Sequence, residues 1–399
     1  MFRLIDAGQV CNAYKIELRI FLYEEPTPPY VIFSHAPGWM NESTRQWSNG
    51  SHDLAFRRMH EFKNPWDESL HSSKQRAYQK VFRACECALR LGYQFIWINT
   101  VCVDESDSGE MNRSAGAMFK WYSNAEACLV HLPDSYGANH GEKCLYTRQE
   151  KPCTWWTQCW TFTALLASKQ LYIYNGEGVL IIHYVKQPQY PCGSIQRHIM
   201  EITEIHPDAL FGTTPLSNFS FKAKMTWCQR QTDYKRQEDL VYCLIGAFDV
   251  NMDGSYGEGS SVAYRRFQSK VIRSTHDLSI LAWDDEANYP EGEACRALAR
   301  SRHQFATHVA DEGIMFRQPL RITDRGIEIR HQLHTIPTYG IDRYFLILGP
   351  GWREDQVAGI FLEPVGKMLF RRIGGGISIF DRTVPVPLGD TRDITIQTW

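Results

Sequence analysis

The chain has 399 residues, with 43 Lys and Arg against 45 Asp and Glu for a formal charge of -2, and 43% of it is apolar, including 12 Trp, 19 Tyr and 20 Phe. Near-neutral charge excludes a nucleic-acid binder that works through a basic face and counterion release. Charged residues at 22% against 43% apolar leave ample surface to bury, which excludes a disordered chain, and the length suits two domains or one large domain with an appended module.

Four short apolar runs in the first half read as buried strands: Tyr30 to Phe33, Tyr93 to Ile98, Ala127 to Leu132 and Leu171 to Tyr174. Helical patterns lie between them. From Lys74 to Leu91, the residues Tyr78, Val81, Phe82, Cys85, Ala88 and Leu89 recur at spacings of three and four, and Gly92 follows as a stop signal. Met111, Ala115, Met118, Phe119 and Tyr122 form a second stripe, and Trp160 to Ala167 a third, shorter helix. Strands alternating with helices imply parallel pairing through right-handed crossovers, hence an open α/β sheet covered on both faces. Ligands in such sheets bind beyond the carboxyl ends of the strands. Here those ends are Ser34 and His35, Asn99 to Asp104, Pro133 and Asp134, and Asn175.

From Pro207 to about Trp283 the pattern is helical, an extension of the first domain, which we place at residues 1–283. Residues 284–399 change texture to short runs such as Gly326 to Arg330, Tyr344 to Leu348, Gly359 to Leu362 and Ile394 to Gln397, and read as an antiparallel β module. The 12 Cys are scattered without the spacing of a secreted scaffold, the N-terminus lacks an apolar leader, and no stretch approaches about 18 apolar residues. The expectation is a soluble cytoplasmic protein with no membrane or nucleic-acid partner.

Several tempting signals have plainer readings. His140, Cys144, Cys153 and Cys159 fit no closed zinc spacing, so no metal is expected. Gly374 to Gly376 and the glycines from Gly254 to Gly259 lack the Lys-Ser or Lys-Thr of a phosphate loop and read as turns. No Gly-x-Ser-x-Gly elbow supports a Ser/His/Asp hydrolase.

Several blocks in order resemble the fungal heterokaryon incompatibility (HET) domain. They are Pro29-Tyr-Val-Ile-Phe-Ser-His35, Trp97-Ile-Asn-Thr-Val-Cys-Val-Asp104, Met118 to Ala125, and Trp155-Trp-Thr-Gln-Cys-Trp-Thr-Phe-Thr-Ala-Leu-Leu-Ala167. Glu238-Asp239, Tyr242 to Gly246, Phe248 to Met252 and Ser279 to Trp283 extend the likeness downstream. The resemblance implies a Toll/interleukin-receptor-like, flavodoxin-like parallel sheet and a role in cell death after non-self recognition. Related Toll-type domains can hydrolyse NAD.

The departures from the family pattern share a direction. Asn99 stands where the family has Asp, Gln158 and Cys159 where it has Arg-Gly, and Thr163 and Ala164 where it has Gln-Glu. Glycosidic cleavage wants a carboxylate to hold the ribose 2'-hydroxyl or an oxocarbenium-like charge, and alanine does neither. A charged set is lost while the tryptophans of the frame remain. The first expectation is therefore a repurposed pocket that binds an apolar small molecule and steers its cyclisation without a cofactor, as a cyclase or pericyclase of the Diels-Alderase type in fungal specialised metabolism. His35, Asn99, Gln158 and Thr163 would be the polar catalytic groups, with Trp39, Trp97, Trp160, Tyr174 and Asp104 binding substrate. The alternative is an incompatibility or cell-death regulatory protein, a degenerate NAD hydrolase. Neither reading sets the oligomeric state.

Overall fold

A computed structural model describes all residues except 1, 23–24, 37–38, 41–46, 49–52, 136–140, 187–193, 286, 289–293, 306–317, 339–340, 351–354, 382–390 and 399. The chain divides into two compact units whose segments interleave. The first comprises Met1–Thr214, Arg230–Ala247 and Asp253–Gly257, and the second Pro215–Gln229, Phe248–Met252 and Glu258–Trp399.

In the first unit the strands are β1 (Phe2–Asp6), β2 (Leu18–Phe21), β3 (Tyr30–His35), a two-residue pair β4 (Trp39–Met40) and β5 (Trp47–Ser48), β6 (Phe95–Ile98), β7 (Ala127–Leu132), β8 (Gln170–Asn175) and β9 (Leu180–Val185). Seven of them form one sheet in the order β2-β1-β6-β3-β7-β8-β9. Its four central strands, β6-β3-β7-β8, are parallel. Continuous apolar runs suit strands covered on both faces, and Val31, Ile32, Ile96, Cys128 and Val130 are completely buried. The sheet is nonetheless mixed rather than purely parallel, because β1 pairs antiparallel with β2 and β6, and β9 pairs antiparallel with β8. The added strands lie toward the edges, where β2 leaves Ile20 53% exposed; a half-solvated strand has no continuous apolar run to announce it.

The helices of this unit are α1 (Ala7–Ala13), α2 (Ser72–Arg90), the single turn α3 (Asn99–Cys102), α4 (Ser108–Asn124), α5 (Thr154–Thr157) and α6 (Cys159–Ala167), followed by α7 (Ser194–Thr203) and α8 (Pro207–Leu210). Of these, α2, α4 and α6 are the three that periodicity leads one to expect. Helix α2 buries Ala77, Tyr78, Val81, Ala84, Cys85 and Ala88, and Gly92 follows it at φ 86°, a conformation open to glycine without strain. Asp107 caps α4 by accepting from the Glu110 N–H at 3.0 Å. Side chains alternate along β3. Ser34 meets Tyr122 of α4 and Trp155 of α5, while Phe33 stands with Lys80 and Ala84 of α2, so α2 and α4 cover different faces.

The second unit contains the helices Phe221–Trp227 and Ser260–Ser274 and the strands β10 (Ala294–Cys295), β11 (Leu320–Ile322), β12 (Ile327–Thr338), β13 (Ile341–Pro350), β14 (Gln356–Gly366), β15 (Leu369–Asp381) and β16 (Thr391–Ile396). They form a barrel-like sheet in the order β10-β15-β14-β13-β12-β11, with β16 pairing to both β12 and β15. The expected antiparallel module is present, with one exception: β15 and β16 run parallel where Leu369 faces Thr395 and Phe370 faces Ile396. Gly374 to Gly376 are not a turn. They lie inside β15, opposite the irregularity in β14 between Gly359 and Phe361, and carbonyls of this glycine stretch accept from Arg372 and from the backbone of Asp285. Glycine there marks a bulge and a close approach of other groups to the backbone.

Among the described residues no helix is long and apolar enough to cross a membrane.

Candidate functional site

At the carboxyl ends of β3 and β6 the first unit encloses a cavity of about 120 Å³, the place where an open α/β sheet binds ligands. Its floor is the stripe Met111, Ala115 and Met118 of α4, and Ser34, His35, Asn99, Gln158 and Trp160 stand around it. Ser34 accepts the indole N–H of Trp155 at 3.0 Å and is hydrogen-bonded to Tyr122. These bonds fix the β3 end against α4 and α5.

The remaining wall comes from a distant stretch of chain. Around the α5–α6 junction the backbone bridges to residue 233: the Cys159 N–H donates to the Asp233 carbonyl and the Asp233 N–H to the Thr157 carbonyl, both at 2.9 Å. That pairing brings Lys235, Arg236, Asp239 and Tyr256 into the cavity. Asp239 is 4% exposed. Its carboxylate accepts from the Tyr256 hydroxyl at 2.7 Å, from the Arg236 N–H at 2.9 Å and from the Trp160 indole. Burial raises its pKa, and the three donors work against that rise. Lys235 pairs with Glu105 at 2.5 Å, with Arg236 at 3.9 Å from the same carboxylate, and the Arg236 guanidinium lies over the Tyr256 ring.

These contacts correct the expectation of a pocket stripped of charge. Asn99, Gln158 and Ala164 are uncharged, but Asp53, Glu105, Lys235, Arg236 and Asp239 line the cavity from other segments. Ala164 and Thr163 are fully enclosed in α6 rather than at its surface, and the Thr163 hydroxyl donates to the Cys243 carbonyl at 2.9 Å.

Of the residues singled out from sequence, the fold brings His35, Asn99, Gln158 and Trp160 together at this cavity. Trp97 is 1% exposed and packs against Trp121 and Tyr122, a core role. Asp104 does not line the cavity; it accepts from the N–H and hydroxyl of Ser106 in a turn and lies 3.6 Å from Arg57. Tyr174 lines a second cavity on the α2 side. The Trp39 side chain lies outside the described residues. Glu110, another carboxylate near the strand ends, is buried in an ion pair with Arg3 and accepts from the Asp104 N–H at 3.1 Å. The residues missed from sequence are Lys235, Arg236, Asp239 and Tyr256. Their signal was the Glu238-Asp239 pair in the downstream family block.

Among the described residues no group of three His, Cys, Asp or Glu is placed to hold a metal ion.

His35 and His131 are register neighbours at the ends of β3 and β7. Burial first, and then the nearby Lys80, push their pKa values from 6.5 to about 4 and about 3. An imidazole depressed in the fold contributes stability that is present above its unfolded pKa and is lost as pH falls toward its folded pKa. The melting temperature should therefore drop as pH is lowered from 6.5 toward 4, and His35→Asn with His131→Asn should flatten that slope. An unchanged slope in the double variant would refute the assignment.

Comparison with known proteins gives the class. Residues 30–171 match the family described as Heterokaryon incompatibility protein (HET), a segment that contains β3, β6, β7 and the helices α3 to α6 at the cavity. That segment lies wholly within the first unit. At the level of a particular relative, the chain is 29% identical over 262 residues to the Vegetative incompatibility protein HET-E-1 of Podospora anserina, a match that covers 65% of this chain and 17% of that protein. No solved structure matches the chain. Nothing in these comparisons supports cyclisation chemistry.

Proposed function

We propose that the chain is a regulatory protein of the incompatibility class whose HET domain, with a Toll/interleukin-receptor-like parallel core, binds the polar end of a small ligand at the strand-end cavity without cleaving it. The observation that carries this reading is the make-up of that cavity. The family-matching segment supplies its floor, its aromatic edge and the carboxylates of Asp53 and Glu105, and residues 235–256 supply two cations, the Asp239 carboxylate and the Tyr256 hydroxyl. Such a site favours a hydroxyl- and phosphate-bearing molecule of the NAD type over a hydrocarbon.

Size works against the cyclase reading too. Typical small-molecule cavities enclose roughly 300–1,000 Å³. The space of about 120 Å³ here suits a sugar-sized fragment rather than a folded polycyclic precursor.

Absence of cleavage follows from the carboxylates. Ala164 offers none, Glu110 is held by Arg3, Asp53 by Lys80 and Glu105 by Lys235, and Asp239 is saturated by three donors. Inducible expression in a fungal host should arrest growth, and Trp160→Ala or Lys235→Ala should relieve the arrest. Purified protein incubated with NAD should release no nicotinamide. Arrest indifferent to both variants would sink the regulatory reading, and steady nicotinamide release would sink the non-hydrolytic one.

A further inference from the structure

We propose that the first unit carries a second ligand site, a cavity of about 290 Å³ between α2 and the ends of β7 and β8 that binds the phosphate group of a small molecule through Arg76, Lys80, Arg83 and His131. This site is separate in chemistry from the first cavity and does not rest on the function proposed for it.

Three observations meet there. The first is charge. Arg76, Lys80 and Arg83 sit at spacings of four and three along α2 and so project on one stripe. Lys80 is ion-paired with Asp53 at 2.5 Å, and no Asp or Glu is among the described residues lining the cavity itself, which leaves the two arginines as the main anion-binding groups. Guanidinium groups recognise phosphate oxygens with paired, charge-assisted hydrogen bonds, and an ammonium adds a point charge.

The second is an unmet polar atom. The His131 ring is hydrogen-bonded to the Gly176 backbone, and its buried Nδ1 has no further partner. A buried polar atom with unused bonding capacity favours an occupant that can meet it. His131 lies in one row across the sheet with His35 on β3 and Tyr174 on β8, and burial together with Lys80 holds its ring neutral. An anion in the cavity would relieve the cationic surroundings that Lys80 and Arg83 create around it.

The third is the shape of the turn after β8. Asn175 accepts from the N–H groups of Glu177 and Val179, which fixes the turn, and a side chain on Gly176 would place its Cβ 2.6 Å from the Pro133 carbonyl oxygen. The turn thus requires glycine there. It packs this backbone against the β7 end, closing one side of the cavity, while Phe33, Leu129 and Tyr174 give it apolar surface for the rest of the ligand.

The test uses the full chain at fixed ionic strength, with inorganic phosphate, AMP and adenosine as probes in thermal-shift and calorimetric titrations, since a ligand of the native state raises its melting temperature. AMP should stabilise the chain and adenosine should not. A phosphate effect equal to that of AMP would assign free phosphate as the occupant, and a smaller one a phosphorylated metabolite; both support the site. Arg76 and Arg83 are exposed, so Arg76→Glu with Arg83→Glu leaves the core intact and should weaken AMP binding at least tenfold. Trp160→Ala, in the first cavity, should leave it unchanged. Binding lost in Trp160→Ala and kept in the charge-reversed chain would move the phosphate to the first cavity and overturn the proposal. Adenosine acting as well as AMP, or no shift with any probe, would also overturn it.

Discussion

Arg372→Ala should destabilise the second unit by about 3–5 kcal/mol, read as a lower denaturant midpoint with Trp283 fluorescence as the probe. Arg372 is 0% exposed in β15. Its guanidinium donates to the carbonyls of Leu281 and Trp283, each at 2.9 Å, and of Gly376 at 3.1 Å, and lies 3.8 Å from the centre of the Trp283 ring. Burial lowers its pKa to about 10, so it stays charged at neutral pH. Truncation leaves these acceptors unpaired at roughly 1–3 kcal/mol each, part of which water entering the gap will recover. Arg372→Lys should recover little, because an ammonium cannot span carbonyls that a planar fork reaches together. If the lysine variant matched the parent chain, the stabilisation would reside in charge alone and the forked geometry would be irrelevant. The same contacts give the Ser279 to Trp283 block a physical role: its carbonyls are the receptor for this side chain.

Asp239→Ala should have the second large effect, about 2–4 kcal/mol, and should abolish ligand recognition at the first cavity. The carboxylate ties the Trp160 indole, the Tyr256 hydroxyl and the Arg236 backbone to one point. Hydrogen bonds to charged groups contribute roughly 1.5–3 kcal/mol each, offset here by the burial of the charge. Because burial raises the pKa of Asp239, the fold favours its protonated form. Its contribution is fully present below the unfolded value of 3.8 and falls as pH rises through the higher folded value. The gap in stability between the parent chain and Asp239→Ala should thus widen toward acid pH. A gap that narrows there would show that the charged form is the one the site selects.

Much of the first sheet was legible because parallel, doubly covered strands need unbroken apolar runs, and β3, β6, β7 and β8 each carry one. Helix α2 was legible for a similar reason, since its sheet-facing stripe repeats at three and four. What escaped were the strands β1, β2 and β9, short antiparallel additions whose burial alternates or is slight, and the glycines of β15, which imitate a turn while serving a bulge. The candidate site divides along the same line. His35 and Asn99 follow from the rule that ligands sit at strand ends, a rule about local order, and Gln158 from the block that resembles the family. Asp239 and Lys235 depend on a bridge between residues 158 and 233, and no spacing in sequence encodes that contact. Judging charge only at the family's own positions therefore misjudged the cavity, whose charged groups had come from elsewhere in the chain.

The pairing of β16 closes an edge of the second unit. This strand joins residues 327–332 on one side and 369–370 on the other. Until residues 391–396 pair, the start of β12 presents a row of unsatisfied amide and carbonyl groups. A chain that has formed β12 to β15 but not yet docked β16 is therefore open at that edge to a strand from a neighbouring molecule.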